Sequence, residues 1–122
     1  MQRPWVLYGA NGYTGELIAR AAVQAGLRPI LAGRDAAAVG TLAHELSLQA
    51  RTTTLDDPRA LDRLLAGCAV VLHCAGPFVH TAQPMADACL RNGVHYLDIT
   101  GEIGVFEALA ARYAEAKGSG VM

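Results

Sequence analysis

Lysine is almost missing from this sequence. Lys117 is the only one among 10 basic residues, and 11 acidic residues bring the net charge to -1. A chain so evenly charged offers no basic face for nucleic acid or an anionic membrane surface. Cysteine is scarce as well: Cys68, Cys74 and Cys89 are odd in number and show no C-x-x-C spacing. That argues against a disulfide framework or a cysteine metal site, and for free thiols in a reducing cytoplasm. The four histidines, His44, His73, His80 and His95, make no H-x-x-x-H pair, so no metal is expected. No apolar run approaches the roughly 20 residues of a membrane span. The apolar stretch ahead of Gly9 is too short for a signal peptide.

What is present is apolar and periodic. Hydrophobic residues make up 52% of the 122, enough for one core in one domain. Strand-like and helix-like segments alternate along the chain. Strands are expected at Trp5–Tyr8, Pro29–Ala32, Arg51–Leu55, Ala69–Cys74 and Val94–Ile99. Between them, Leu17, Ile18, Ala21, Ala22 and Ala25 form one helical stripe. Val39, Leu42, Ala43 and Leu46 form a second behind an Asp35 cap. Asp57-Pro58 opens a third helix with Leu61, Leu64 and Leu65 on its core face. A fourth is expected from about Pro84 to Arg91, and a fifth from Glu102 to Lys117.

Such alternation predicts an α/β fold, a doubly wound parallel sheet of the Rossmann type with strand order 3-2-1-4-5. The Thr-rich third strand suits an edge, and the continuous apolar run of the fourth suits a centre. Gly118-Ser119-Gly120-Val121-Met122 reads as the start of a sixth strand that is truncated. Residues 1–122 are therefore expected to be one dinucleotide-binding domain of a longer protein, with the substrate domain absent.

The most informative motif is Gly9-Ala10-Asn11-Gly12-Tyr13-Thr14-Gly15, set between the first strand and the first helix. Gly9 permits the sharp turn, Gly12 lets phosphates approach the backbone, and Gly15 lets the helix sit close to the sheet. The helix N-terminus then presents unpaired N–H groups and a positive dipole end to a pyrophosphate. Gly9, Asn11, Gly12, Tyr13, Thr14 and Gly15 are accordingly candidate cofactor-binding residues. The plainer alternative is a turn with packing glycines.

At the end of the second strand stand Gly33 and Arg34. NAD-binding domains carry a carboxylate there for the ribose 2′-OH. A guanidinium favours a 2′-phosphate instead, hence NADP(H) over NAD(H). Asp35 has a cap role first and a ribose role second. Asp56 lies where it could accept from the adenine amino group, although both Asp56 and Asp57 also suit turns and caps. Cys74, Ala75, Gly76 and Pro77 end the fourth strand at the switch point, where small residues let the cofactor cross the backbone. Cys74 as a nucleophile has no identified base, and His73 reads as a core histidine. His80 is better placed to meet substrate.

Thr100, Tyr113 and Lys117 form a further candidate, a short-chain-reductase triad in which lysine lowers the tyrosine pKa. Tyr113 also falls on the apolar stripe of Phe106, Leu109 and Ala110, and the segment from Gly76 to Thr100 is short for that family. A third alternative is a non-catalytic module that senses NADPH.

Three segments, Gly9 to Gly15, Cys74-Ala75-Gly76-Pro77-Phe78 and His95-Tyr96-Leu97-Asp98-Ile99-Thr100-Gly101-Glu102, resemble the N-terminal domain of the saccharopine dehydrogenase-like oxidoreductases. That group includes proteins described as trans-acting enoyl reductases. Leu31-Ala32-Gly33-Arg34 agrees with it too. The resemblance implies NADP(H) binding and hydride transfer with a carbonyl, imine or enoyl substrate. It also implies a second domain that shapes the small-molecule substrate site, so the chain alone is expected to be inactive. It transfers no catalytic residue. Tyr96, Asp98 and Glu102 either face the cofactor or hold the turn after the fifth strand. An open fifth-strand edge would also allow a homodimer.

Overall fold

The computed structural model describes residues 3–76 and 78–99, together with Arg112, Ala116, Gly118 and Gly120. The element order is β1 (Trp5–Tyr8), α1 (Tyr13–Gln24), β2 (Ile30–Gly33), α2 (Ala36–Leu46), β3 (Ala50–Thr52), α3 (Pro58–Leu65), β4 (Val70–His73), α4 (Phe78–Asn92) and β5 (His95–Asp98). All strand pairs are parallel, and the sheet order is β3-β2-β1-β4-β5. This is the doubly wound order expected from the alternation. The expected helix over 102–117, and the segment 118–122 as a sixth-strand start, fall outside the described residues except at the positions named above.

Alternation along the strands sends side chains to two cores, one on each face of the sheet. Val6 and Tyr8 of β1, Ile30 and Ala32 of β2 and Val71 of β4 meet Leu61, Leu64 and Leu65 of α3 and Met85, Ala88 and Cys89 of α4. Leu7 and Leu31 point the other way and meet Ala19 of α1 and Val39, Leu42 and Ala43 of α2. The second and third helical stripes are therefore the ones the sequence spells out.

Three local expectations are corrected. The buried face of α1 is Gly15, Ala19 and Ala22, while Leu17 is exposed. The glycine turn fixes which side of α1 meets the sheet, and that side must be small for the backbones to approach. Next, β3 ends at Thr52 rather than Leu55. Its partner β2 ends at Gly33, opposite Thr52, and after a last bond from Thr53 N–H to the Gly33 carbonyl the chain turns away. Finally, α4 begins at Phe78 and carries Pro84 inside it. Proline favours a first-turn position, which placed the expected start too late. Burial of Ala82, Met85 and Cys89 at helical spacing overrides that preference.

Candidate functional site

A cleft of about 590 Å³ lies across the C-terminal ends of the strands, at the switch point between β1 and β4. It is lined by Gly9, Asn11 and Gly12 from the first turn and by Gly33, Arg34 and Asp35 from the second. Leu55 and Asp56 after β3, and Cys74, Ala75 and Gly76 after β4, complete most of the wall. Sequence-distant segments thus meet where an open α/β sheet places its ligand. Of the expected cofactor residues, Tyr13, Thr14 and Gly15 do not line it. Tyr13 is 84% exposed on the outer side of α1, and Gly15 is buried beneath the turn. Pro77 lies outside the described residues.

The glycine turn is dense backbone packing. Gly9 has φ +82°, and its N–H and that of Ala10 both donate to the Ala32 carbonyl, at 2.8 and 3.2 Å. A Cβ on Gly9 would come within 2.7 Å of the Ala75 nitrogen, so the turns after β1 and β4 touch main chain to main chain. A Cβ on Gly15 would sit 2.1 Å from the Gly9 carbonyl oxygen. Gly12 differs: its Cβ would meet only the Gly9 oxygen at 3.4 Å, leaving its cleft side open to an approaching group. Gly12 is also the N-cap of α1, and no side chain caps that end. The first-turn N–H groups therefore keep their capacity for an anion.

Arg34 and Asp35 divide their roles. The Asp35 carboxylate accepts from Ala38 N–H at 3.1 Å and caps α2. One oxygen of the carboxylate that could have taken a ribose hydroxyl is thus engaged in the cap, and the Arg34 guanidinium stands on the same wall. Asp57 caps α3 by accepting from the Arg59 and Ala60 N–H groups at 3.0 and 3.3 Å. Asp56, its neighbour, lines the cleft.

On the other side, the turn after β4 is pinned by α4. The Thr81 hydroxyl donates to the Ala75 carbonyl at 2.7 Å. Burial, followed by the charge of Asp98, pushes the Cys74 thiol up to about 11, which keeps it a thiol near neutral pH. That suits packing and not nucleophilic attack. His73 is fully buried, and burial pulls it down to about 4 against the opposing influence of Asp98 and the Thr81 backbone. It stays neutral near pH 7, as a core histidine should. His80 is exposed at the cleft wall. The Tyr96 hydroxyl donates to Asp98 Oδ2 at 2.7 Å within β5, and neither residue lines the cleft. Thr100, Glu102, Tyr113 and Lys117 lie outside the described residues. Among the described residues no group of three or more His, Cys, Asp or Glu could hold a metal. None of the described helices is long and apolar enough to cross a membrane.

Tyr8, Leu55 and Thr81 line the cleft without having been singled out from the sequence. Tyr8 offered one signal, a polar tip at the last position of an apolar strand. Thr81 was hidden by the late placement of the fourth helix.

The residues present fit a dinucleotide phosphate. An uncapped helix start, an open glycine edge and a guanidinium share one cleft, and two backbone turns of small residues lie between them. Comparison with known proteins points the same way. The family model described as the saccharopine dehydrogenase NADP binding domain matches residues 5–122. A human saccharopine dehydrogenase-like oxidoreductase is 27% identical over 93% of this chain and 32% of its own length. A trans-acting enoyl reductase from Mycobacterium leprae is 33% identical over 80% of this chain and 25% of its own length. The chain therefore spans about a quarter to a third of these relatives. Among solved structures, saccharopine dehydrogenase (L-Glu forming) from Saccharomyces cerevisiae superposes with TM-score 0.80 at 19% identity, over 98% of this chain and 26% of that one. That likeness is one of fold.

Proposed function

This chain belongs to the family of saccharopine dehydrogenase NADP-binding domains, and on that premise we propose that it selects NADP(H) over NAD(H) through Arg34 for hydride transfer in a larger oxidoreductase. The observation that carries the selectivity is the division between Arg34 and Asp35. With one Asp35 oxygen held by the Ala38 N–H, Arg34 is the cation that the wall offers at the ribose position, which favours a 2′-phosphate. Gly9, Asn11, Gly12 and the first turn of α1, with Tyr13 and Thr14 acting through their backbone N–H groups, hold the pyrophosphate. Asp56 accepts from the adenine. Cys74, Ala75 and Gly76 form the surface over which the nicotinamide half lies.

When bound, the cofactor supplies or accepts the hydride. The residues of this chain bind it, orient it and exclude water from one of its sides. A carbonyl, imine or enoyl substrate is held by a further part of the whole protein, since the relatives are three to four times longer. His80, exposed at the cleft wall, is the described residue best placed to meet that substrate. The free thiols Cys68, Cys74 and Cys89 suit a reducing compartment.

Titration with NADPH and NADH, followed by calorimetry, tests the selectivity. Arg34→Ala is expected to weaken NADPH binding by about 10- to 100-fold, the worth of a charge-assisted contact, and to leave NADH binding within about twofold. Tighter binding of NADH than NADPH, unmoved by Arg34→Ala, would overturn it.

A further inference from the structure

One buried hydrogen bond ties the first strand to the residue that follows the third, across the second. Tyr8, only 1% exposed, donates its hydroxyl to the Thr53 carbonyl at 2.9 Å across 45 residues of sequence. The register explains the reach. Tyr8 stands opposite Ala32, and Ala32 stands opposite Arg51, so Thr53, just past the end of β3, lies two residues beyond that row. Ala32 contributes only a methyl group, which leaves room for the tyrosine ring to lean across. A phenylalanine would fill the same apolar space, so packing alone does not account for the hydroxyl.

Thr53 is the last anchored residue before the chain enters the cleft wall. Its N–H donates to the Gly33 carbonyl at 3.0 Å, and two residues later Leu55 and Asp56 line the cleft. Leu55 packs against the core cluster that contains Tyr8. The Tyr8 and His73 ring centroids lie 5.7 Å apart with the planes tilted at 59°, so the tyrosine ring is also packed from the β4 side. Tyr8 itself lines the cleft, and the charges of both Arg34 and Asp56 reach its phenol.

From these contacts we propose that Tyr8 is a positioning residue for the adenosine half of the cofactor, acting through Thr53 to hold Leu55 and Asp56 at the distance from Arg34 that adenine and the 2′-phosphate require. The inference rests on the NADP(H) reading above. It adds a residue whose hydroxyl acts on the adenosine site through another segment of chain. Tyr8→Phe removes the hydroxyl and keeps the ring.

The test is calorimetry of the chain with NADPH and with 2′,5′-ADP, the adenosine half alone, at a temperature where every variant is folded. Wild type is expected to bind both. Tyr8→Phe is expected to lose about tenfold for each, and by equal factors, because the lost support lies on the shared half. On an Asp56→Ala background the same change is expected to cost clearly less than about tenfold, since only Leu55 is left to be positioned. Tyr8→Phe binding both probes within about twofold of wild type, or losing the same factor with and without Asp56, would overturn the proposal while leaving the NADP(H) reading intact. Wild type binding neither probe would remove both.

Discussion

Two turns leave adjacent parallel strands at the same end of the sheet, and they are held by different means. The turn after β1 is shaped by residue type. Gly9 takes a φ of +82°, and Gly15 allows α1 to lie against the Gly9 carbonyl. The turn after β4 runs through Cys74, Ala75 and Gly76 and is held by its neighbours, the Thr81 hydroxyl from α4 and the backbone of Gly9. One turn carries its geometry in its own sequence, and the other borrows it from segments on either side. Because the two touch at Gly9 and Ala75, both sides of the cleft share one mechanical support.

Substitutions at glycine give the sharpest way to break this contrast. Gly15→Ala would place a methyl 2.1 Å from backbone oxygen, and a loss of about 3 kcal/mol or more in urea unfolding is expected. Gly12→Ala makes only an ordinary contact with the Gly9 oxygen at 3.4 Å, so its stability is expected to stay within about 1 kcal/mol of wild type. Its NADPH affinity is nevertheless expected to fall by about tenfold or more, because the methyl stands where the phosphates approach. Equal stability of the two variants would show that α1 is not pressed against the turn.

The β4 side differs in carrying a buried group that titrates in the acidic range. The unfolded chain protonates His73 near pH 6.5, whereas the folded chain does so only near 4. Between those values the unfolded state binds the extra proton, so stability rises with pH through the window and falls as pH drops. Moving from pH 7 to 4.5 is expected to cost about 2.5 kcal/mol from this group, read as a shift in urea midpoint. His73→Gln should flatten that part of the slope. An unchanged slope would assign the titration to another group.

The smallest expected effect tests the borrowed support. Thr81→Val removes the bond to the Ala75 carbonyl at constant shape, with an expected loss of about 1 kcal/mol in stability. NADPH affinity should weaken alongside it, by several-fold. Thr81→Ser keeps a hydroxyl and should restore both. If valine and serine behave alike, the turn after β4 is held by packing with Gly9 alone.

The legible parts were those where local chemistry and tertiary packing agree. Asp35 and Asp57 were readable as caps because an aspartate ahead of a helix has one favourable local use. The stripes Val39-Leu42-Ala43 and Leu61-Leu64-Leu65 were readable because the 3.6-residue period coincides with the buried face. The stripe on α1 misled because Leu17 is the larger apolar residue, yet the glycine turn rotates the helix so that small residues face the sheet. Pro84 misled in the same way, since a local preference for helix starts yields to a stripe that buries Ala82, Met85 and Cys89.

By itself the sequence determined the alternation of elements, the glycine turn, the strand order and the basic residue at the end of β2. The first two follow from backbone sterics and periodicity, which act over a few residues, and the strand order from the right-handed crossovers that the alternation imposes. Only the tertiary structure decided that Asp56 faces the cleft, that Thr81 holds Ala75, and that Tyr8 reaches Thr53. Those are contacts between chain segments that come together when parallel strands align. Their partners are chosen by register and by the size of what lies between, as the methyl of Ala32 lies between Tyr8 and Thr53.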